Sequence, residues 1–295
     1  MVHFGFVGLG QMGAPMARNL SRAHRVTAFA TDGDFSGLTC AAGLADLAGC
    51  DRLILCLPSA EIVTNVLFGA DGLAGKLAKG TVVIDTGTTE YNATCGLAER
   101  LETLGLRFVD APVSGMRKRA EDATLTMMCG GDGDLIATLH PALSAMASKI
   151  LHVGPVGSGQ LMKLVNQLLF DINAAALAEI LPLATRLGLN PEQVEQVVNS
   201  GTGRSFASEF FLPNVLNGDF RQGYPMRDAY KDLVSGAELT ARRGIPTPVL
   251  DAATETYQRA LLEGHGDKDK GAMILVFEKL LGAEFRAAPM RNASR

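Results

Sequence analysis

The sequence predicts an α/β domain with a mainly parallel sheet, followed by an all-α domain joined to it by one long helix. Three observations lead there. Short apolar runs alternate with helical patterns through the first 150 residues, which is how βαβ units cover a parallel sheet with helices. Glycine is concentrated in the same part, with 22 of the 33 in residues 1–159, so that half is punctuated by turns. A helical stretch from Ser158 to about Leu187 then runs with no glycine after Gly159 and one proline, Pro182. At roughly 150 residues per domain, this length suits two domains. The expected boundaries are 1–157 for the α/β domain, 158–187 for the interdomain helix and 188–295 for the all-α domain.

The elements follow in order. His3–Val7 is an apolar strand, and Arg25–Phe29, Arg52–Leu57, Val82–Asp85, Arg107–Asp110, Leu125–Cys129 and Ile150–Val153 repeat its character. Helical periodicity fills Met12–Arg22, Ala60–Phe68, Glu90–Leu104 and Asp134–Ser148. After Gly154-Pro155-Val156-Gly157 the strands stop. The long helix is followed by helical segments at Pro191–Asn199, Arg227–Arg243, Pro248–Glu263 and Gly271–Leu281. Ala287–Arg295 reads as a frayed tail.

Composition excludes several classes. The net charge of −4 gives no basic field for nucleic acid. The longest apolar stretch, Leu168–Leu189, is broken by Asp171, Asn173, Glu179 and Arg186, so no membrane span is expected. The N-terminus lacks the basic and apolar regions of a signal peptide. The five cysteines form no Cys-x-x-Cys pair and read as reduced thiols of a cytoplasmic protein. The five histidines show no metal-ligand spacing, so no metal is expected.

The first chemical motif is Gly8-Leu9-Gly10-Gln11-Met12-Gly13, lying between the first strand and the first helix. In that context Gly8 permits a tight turn, Gly10 lets backbone approach a pyrophosphate, and Gly13 lets the helix pack on the strand. The helix N-terminus then meets the phosphates with its free N–H groups. The end of the second strand, Ala28-Phe29-Ala30-Thr31-Asp32, lacks the acid expected near Ala30 for a ribose 2′-hydroxyl. No arginine follows for a 2′-phosphate. Thr31 serves either cofactor, so the choice between NAD and NADP stays open.

The opening segment with Pro15-Met16-Ala17-Arg18-Asn19-Leu20 resembles that of the β-hydroxyacid dehydrogenases. That family includes 3-hydroxyisobutyrate dehydrogenase, tartronate semialdehyde reductase and, more distantly, 6-phosphogluconate dehydrogenase. Asp110-Ala111-Pro112-Val113-Ser114-Gly115 resembles its substrate loop. Gly157-Ser158-Gly159-Gln160-Leu161-Met162-Lys163-Leu164-Val165-Asn166-Gln167 resembles its catalytic helix, and Lys231-Asp232-Leu233 its C-terminal lysine motif. Gly266 and Asp269 also fit. The resemblance implies a Rossmann-type doubly wound sheet, a long interdomain helix and an all-α domain, often in a homodimer or homotetramer. It implies NAD- or NADP-linked interconversion of a small anionic 3-hydroxy acid and its semialdehyde.

Hydride removal from a carbinol carbon needs a base for the hydroxyl proton, and the reverse direction needs an acid. Lys163 is the candidate. Gly159 lies four residues before it and Asn166 three after, on one helical face. Gly159 is expected to leave room above the lysine, and Asn166 to hold the ammonium or the substrate hydroxyl. Ser114 and Gly115 offer a hydroxyl and a backbone N–H to a carboxylate. Lys231 is implied on both the substrate and the cofactor side. Thr88 matches a family threonine facing the nicotinamide, although Gly87 stands where serine is commoner. Leu57 and Pro58 resemble the loop along the cofactor.

The substrate loop departs from the family. Met116, Arg119 and Ala123 stand where glycines are usual, and Asp228 replaces an apolar residue. Arg119, with Arg117, is a candidate for a second anionic group on the substrate. The plain alternative is a solvated basic loop followed by Glu121 and Asp122. Two other functions compete with the dehydrogenase: reduction of an imine, which the presence of Lys163 disfavours, and a dinucleotide-binding sensor without catalysis.

Overall fold

A computed structural model describes residues 2–288, so residues 289–295 of the expected tail lie outside the described residues. Ala287 is tied down, its N–H donating to the Leu216 carbonyl at 2.9 Å. The chain divides after Lys163 into two compact units.

The first unit contains β1 (His3–Leu9), α1 (Gly13–Ser21), β2 (Arg25–Gly33), β3 (Arg52–Leu55), α2 (Ala60–Phe68), β4 (Val82–Asp85), α3 (Tyr91–Thr103) and β5 (Arg107–Asp110). It continues with β6 (Val113–Ser114), α4 (Met116–Glu121), β7 (Leu125–Gly130), α5 (Gly133–Leu143), β8 (Ala147–Gly154) and the start of α6 (Ser158–Arg186). The strand order is β2-β1-β3-β4-β5-β7-β6, with β8 on β7. Strands β1 to β5 are parallel, β7 runs antiparallel to β5 and β6, and β8 is parallel to β7.

Alternation along the strands explains the two-sided packing. Phe4, Phe6, Ile54, Ile84 and Val109 join one apolar cluster, with Met16 and Leu20 of α1. Val7, Leu53, Leu55, Val83 and Phe108 join another, with Val63 of α2 and Leu97 and Leu101 of α3. Successive side chains point to opposite faces, and both faces are covered, so both parities must be apolar. The chain leaves β1 to form β2 on one side and returns to form β3 on the other. This reversal opens a crevice at the carboxyl ends of β1 and β3.

The structure corrects several expected boundaries. β3 stops at Leu55, and α5 ends at Leu143, so Ala147 and Ser148 begin β8. β6 and α4 were not expected. β6 is two residues, Val113 opposite Met127 and Ser114 opposite Thr126, too short to show a period of two. α8 (Phe206–Leu216) was also missed. It is rich in apolar residues and contains Pro213, so it lacks the polar stripe that marks an amphipathic helix.

The second unit holds the rest of α6 with α7 (Pro191–Ser200), α8, α9 (Met226–Arg242), α10 (Pro248–Leu262), a 3-10 turn at Lys270–Met273 and α11 (Ile274–Leu281). Its core gathers Ala174, Ala178, Phe211, Leu233, Tyr257 and Met273. Asp171 is fully buried there, accepting from Lys270 Nζ and from the Tyr257 hydroxyl at 3.2 Å. α6 is long and apolar enough to cross a membrane. Ala174, Ala175, Ala178 and Leu181 of its middle are buried in the core of this unit, while Val165, Leu169, Ile180 and Leu183 are exposed.

Candidate active site

The turn after β1 is built by two glycines that tolerate no side chain. Gly8 has φ +99°, and a Cβ on it would lie 2.3 Å from the Cys56 carbonyl oxygen. A Cβ on Gly13 would lie 2.0 Å from the Gly8 oxygen. Gly10 differs, because a Cβ there would meet nothing within 4 Å. The protein itself does not require glycine at position 10; open space remains above the loop. No side chain caps α1 at Met12, and its first turn carries no acid. The Ala14 and Met16 N–H groups are used by the Gly10 and Met12 carbonyls at 3.1 and 3.4 Å and Pro15 has none, so the helix offers an anion its Gly13 N–H and its positive dipole end. The cradle fits a dinucleotide pyrophosphate.

Around it, Gln11 is exposed, Met12 half-buried and Leu9 buried, so Leu9 can offer a ligand only its backbone. Leu57 is half-buried, with Pro58 exposed beyond it. Thr31 is exposed within β2, which runs on to Gly33. The Asp34 N–H donates to the Leu9 carbonyl at 3.2 Å, and its carboxylate pairs with Arg18 at 3.0 Å.

β4 and β5 each end on a buried aspartate, Asp85 and Asp110. Asp85 accepts from the Gly87 N–H at 2.9 Å and from the Thr89 hydroxyl at 3.4 Å. Asp110 accepts from the N–H groups of Gly157 at 2.8 Å and Gln160 at 3.0 Å, anchoring the start of α6. Burial pushes the Asp85 carboxyl up to about 6, with the Asp110 charge adding to it. Burial also raises Asp110, against the N–H groups it accepts from. The Gln160 amide completes the circuit. Its Nε2 donates to the Gly87 carbonyl at 2.9 Å and its Oε1 accepts from the Thr89 N–H at 3.0 Å. Thr88 is half-buried between those two bonds. Gly87 is explained by proximity, since a Cβ there would lie 2.5 Å from the Leu57 oxygen.

Sequence reasoning missed the roles of Asp85, Asp110 and Gln160. A signal was present, because two successive apolar strands each end on aspartate, Val82-Val83-Ile84-Asp85 and Arg107-Phe108-Val109-Asp110. One expectation is corrected: Gly159 does not leave open room. A Cβ there would lie 2.4 Å from the Met128 oxygen and 2.7 Å from Asp110 Oδ2, so Gly159 lets α6 close on the sheet. Lys163, one turn further along, is 8 % exposed.

Ser114 and Gly115 are half-buried at the end of β6, and Gly115 has φ +142°. Met116, the first residue of α4, and Ala123, two residues beyond its end, have φ +62° and +55°, and are the two non-glycine residues with positive φ among the described residues. Both stand where the resemblance leads one to expect glycine. The Asn19 amide donates to the carbonyls of Ala120 and Glu121 at 2.8 and 3.2 Å, holding α4 on α1. Arg117 is paired with Glu121 at 2.8 Å. Arg119 is half-buried, its stem lying over Gly115, and its guanidinium has no ion pair among the described residues.

In the second unit, Asn166 on α6 and Lys231 on α9 are exposed. Asp232, next to Lys231, is buried and accepts from the Gln167 amide at 3.2 Å, so α9 is tied to α6 one residue from each candidate. Asp269 serves a turn, accepting from the N–H groups of Gln222, Gly223 and Gly271. Asp228 lies exposed in the first turn of α9, where an acid complements the helix dipole.

Residues 3–154 match the NAD binding domain of 6-phosphogluconate dehydrogenase, and residues 157–277 match the NAD-binding domain of NADP-dependent 3-hydroxyisobutyrate dehydrogenase. The chain belongs to the β-hydroxyacid dehydrogenase family. It is 34% identical over 291 residues to 2-(hydroxymethyl)glutarate dehydrogenase of Eubacterium barkeri, covering 95% of this chain and 96% of that one. It is 31% identical to L-threonate dehydrogenase of Cupriavidus necator, covering 93% and 96%. A crystal structure of 3-hydroxyisobutyrate dehydrogenase from Salmonella typhimurium superimposes with a TM-score of 0.83 at 29% identity, covering 94% of this chain and 100% of that one. The protein is therefore an NAD(P)-dependent hydroxyacid dehydrogenase, and its α/β unit with a Rossmann-type sheet and its helical unit are those of the family.

Proposed function

We propose that the enzyme interconverts a small 3-hydroxy acid carrying a second anionic group and its semialdehyde, with Lys163 as general acid and base. The observation that carries the reading is the burial of Lys163 one turn beyond an α6 N-terminus anchored on Asp110. A buried ammonium or amine, held on a rigid element, is positioned for proton transfer. In the oxidative direction Lys163, as the neutral amine, takes the hydroxyl proton; in reduction its ammonium returns it. The bound nicotinamide supplies the hydride chemistry. Asn166 orients the hydroxyl, while Ser114 and the Gly115 N–H bind the shared carboxylate. Lys231 adds a positive charge for the carboxylate or the cofactor.

The cofactor is held by Gly8, Leu9, Gly10, Gln11, Met12 and Gly13 at the phosphates and by Thr31 beside the ribose. Leu57 and Pro58 lie along the cofactor, and Thr88 on its nicotinamide side. Arg119 meets the second anion, because its guanidinium lacks an ion pair while Arg117 is engaged by Glu121. The relative named for 2-(hydroxymethyl)glutarate, a dicarboxylate, favours the same substrate class. The exposed apolar residues Val165, Leu169, Ile180 and Leu183 along α6 support a homodimer or homotetramer, and the unpaired thiols support a cytoplasmic location.

The test is a panel of 2-(hydroxymethyl)glutarate, L-threonate and 3-hydroxyisobutyrate with NAD and NADP, repeated on Lys163→Ala. Turnover that collapses in the variant while NAD(P)H binding persists supports the reading. Full turnover by Lys163→Ala refutes the proton-transfer role.

A further inference from the structure

We propose that Gln160 is a positioning residue that fixes the Gly87–Thr89 loop against the first turn of the Lys163 helix. The inference rests on the proposed roles of Lys163 and the loop. Gln160 is 2 % exposed, and its amide is used at both ends, donating to the Gly87 carbonyl at 2.9 Å and accepting from the Thr89 N–H at 3.0 Å. These bonds straddle Thr88. The loop follows β4, at the carboxyl edge of the sheet, where a doubly wound domain binds its ligand. A Cβ on Gly87 would lie 2.5 Å from the Leu57 oxygen, so the loop also abuts the segment after β3, next to the reversal point.

Lys163 lies three residues beyond Gln160 on the same helix, so Gln160 Nε2 and Oε1 link the loop to the element that carries the proton donor. Two further bonds keep the link from swinging. Asp110 holds the Gln160 N–H at 3.0 Å, and Asp85 holds the Gly87 N–H at 2.9 Å from the other side. Hydride transfer and proton transfer must occur at adjacent atoms of one substrate, so the elements that serve them need a fixed separation. A displacement of about 1 Å can cost on the order of a hundredfold in rate. A leucine at 160 fills the space but leaves the Gly87 carbonyl and the Thr89 N–H without their partner.

A carboxyl at this position separates positioning from packing. When protonated it reproduces both bonds, its hydroxyl donating to Gly87 and its carbonyl accepting from Thr89. When ionised it can only accept, so it repels the Gly87 carbonyl. Gln160→Leu and Gln160→Glu are therefore compared with wild type and Lys163→Ala. The readouts are kcat and KM for 3-hydroxyisobutyrate, L-threonate and 2-(hydroxymethyl)glutarate across pH, NADH and NADPH affinity by fluorescence, and Tm.

Gln160→Leu is expected to lose roughly tenfold to a hundredfold in kcat, with coenzyme affinity changed less than about threefold, within ~0.7 kcal/mol. Gln160→Glu is expected to keep a larger share of wild-type kcat at low pH than at high pH, the ratio of variant to wild type at each pH falling as the introduced carboxyl ionises. Wild-type kcat in both variants at every pH overturns the proposal, as does a loss in both that follows only the loss of folded protein. The arm with Lys163→Ala is independent: full turnover there refutes the acid–base reading instead, and no turnover of any acid by wild type refutes the substrate class.

Discussion

Asp85 and Asp110 stand opposite one another in the register of β4 and β5, and both are buried completely. Each is bound by backbone N–H groups, yet burial and mutual repulsion hold the Asp85 carboxyl up, from 3.8 to about 6. The folded state therefore binds this proton more tightly than the unfolded chain. Stability from that preference is complete below about pH 4 and is lost as pH rises through about 6, on the order of 3 kcal/mol. Asp85→Asn keeps an oxygen for the Gly87 N–H and removes the titration. The variant should gain on wild type by several degrees in Tm between pH 4.5 and pH 7.5, read by thermal scans. Parallel pH curves for the two proteins would contradict the assignment.

The glycine loop separates fold from ligand binding. Gly13→Ala puts a methyl group 2.0 Å from the Gly8 oxygen, a backbone atom that cannot step aside, so folding should suffer by several kcal/mol (~3 or more). Gly10→Ala meets nothing within 4 Å and should melt within about 1 °C of wild type. Its NADH and NADPH affinities should nonetheless fall by roughly tenfold or more, ~1.4 kcal/mol, because the methyl group occupies the phosphate approach. Unchanged affinity would mean that the dinucleotide does not pass over Gly10.

What the sequence revealed and what it hid divide along physical lines. Long segments with a clear period were legible: Ala60–Phe68 has the expected ends, and Ser158–Arg186 begins where expected and ends one residue early. The glycine loop was legible because its spacing encodes backbone geometry that no other residue supplies. Val113–Ser114 was hidden because a two-residue strand owes its existence to its partner, β7. The Gln160 circuit was hidden for a related reason. Its partners Gly87 and Thr89 lie 73 and 71 residues away, and nothing local to a glutamine announces that its amide will be buried.

Lys270 and Asp171 form the buried ion pair of the second unit, 3 % and 0 % exposed. Among the described residues Asp171 Oδ2 has no hydrogen-bond partner, so the carboxylate depends on Lys270 and Tyr257 through its other oxygen. Lys270→Met should cost about 3–5 kcal/mol by leaving a buried charge uncompensated. The double variant Lys270→Met with Asp171→Leu should recover most of that loss, since an apolar pair removes the need for compensation. Denaturant unfolding of the two single variants and the double completes the cycle; additive losses would show that the pair is not coupled.

Ala123 holds φ +55° without the freedom of glycine. A left-handed conformation costs a side-chain-bearing residue about 1–2 kcal/mol, and glycine's extra chain entropy offsets about half of that. Ala123→Gly should therefore stabilise the protein by roughly 0.5–1 kcal/mol. A loss of stability on denaturant unfolding would show that the methyl group contributes more in packing than its backbone costs.

Arg119 gives the sharpest test of substrate class. Its stem packs over Gly115, beside Ser114, and its guanidinium is not neutralised by an acid among the described residues. Two acids isolate what it recognises. 2-(Hydroxymethyl)glutarate and 3-hydroxyisobutyrate share the hydroxymethyl group and the neighbouring carboxylate. They differ where a carboxyethyl arm replaces a methyl group. If Arg119 binds that arm, Arg119→Ala should lower kcat/KM for the glutarate by roughly tenfold to a hundredfold, the worth of a charge-assisted hydrogen bond. The value for 3-hydroxyisobutyrate should stay within about threefold, because that acid never reached the arginine. Arg119→Lys should recover only part of the loss, since an ammonium keeps the charge without the planar fork. Equal losses on both acids would place Arg119 at the shared carboxylate, and no loss on either would leave it a solvated side chain on α4.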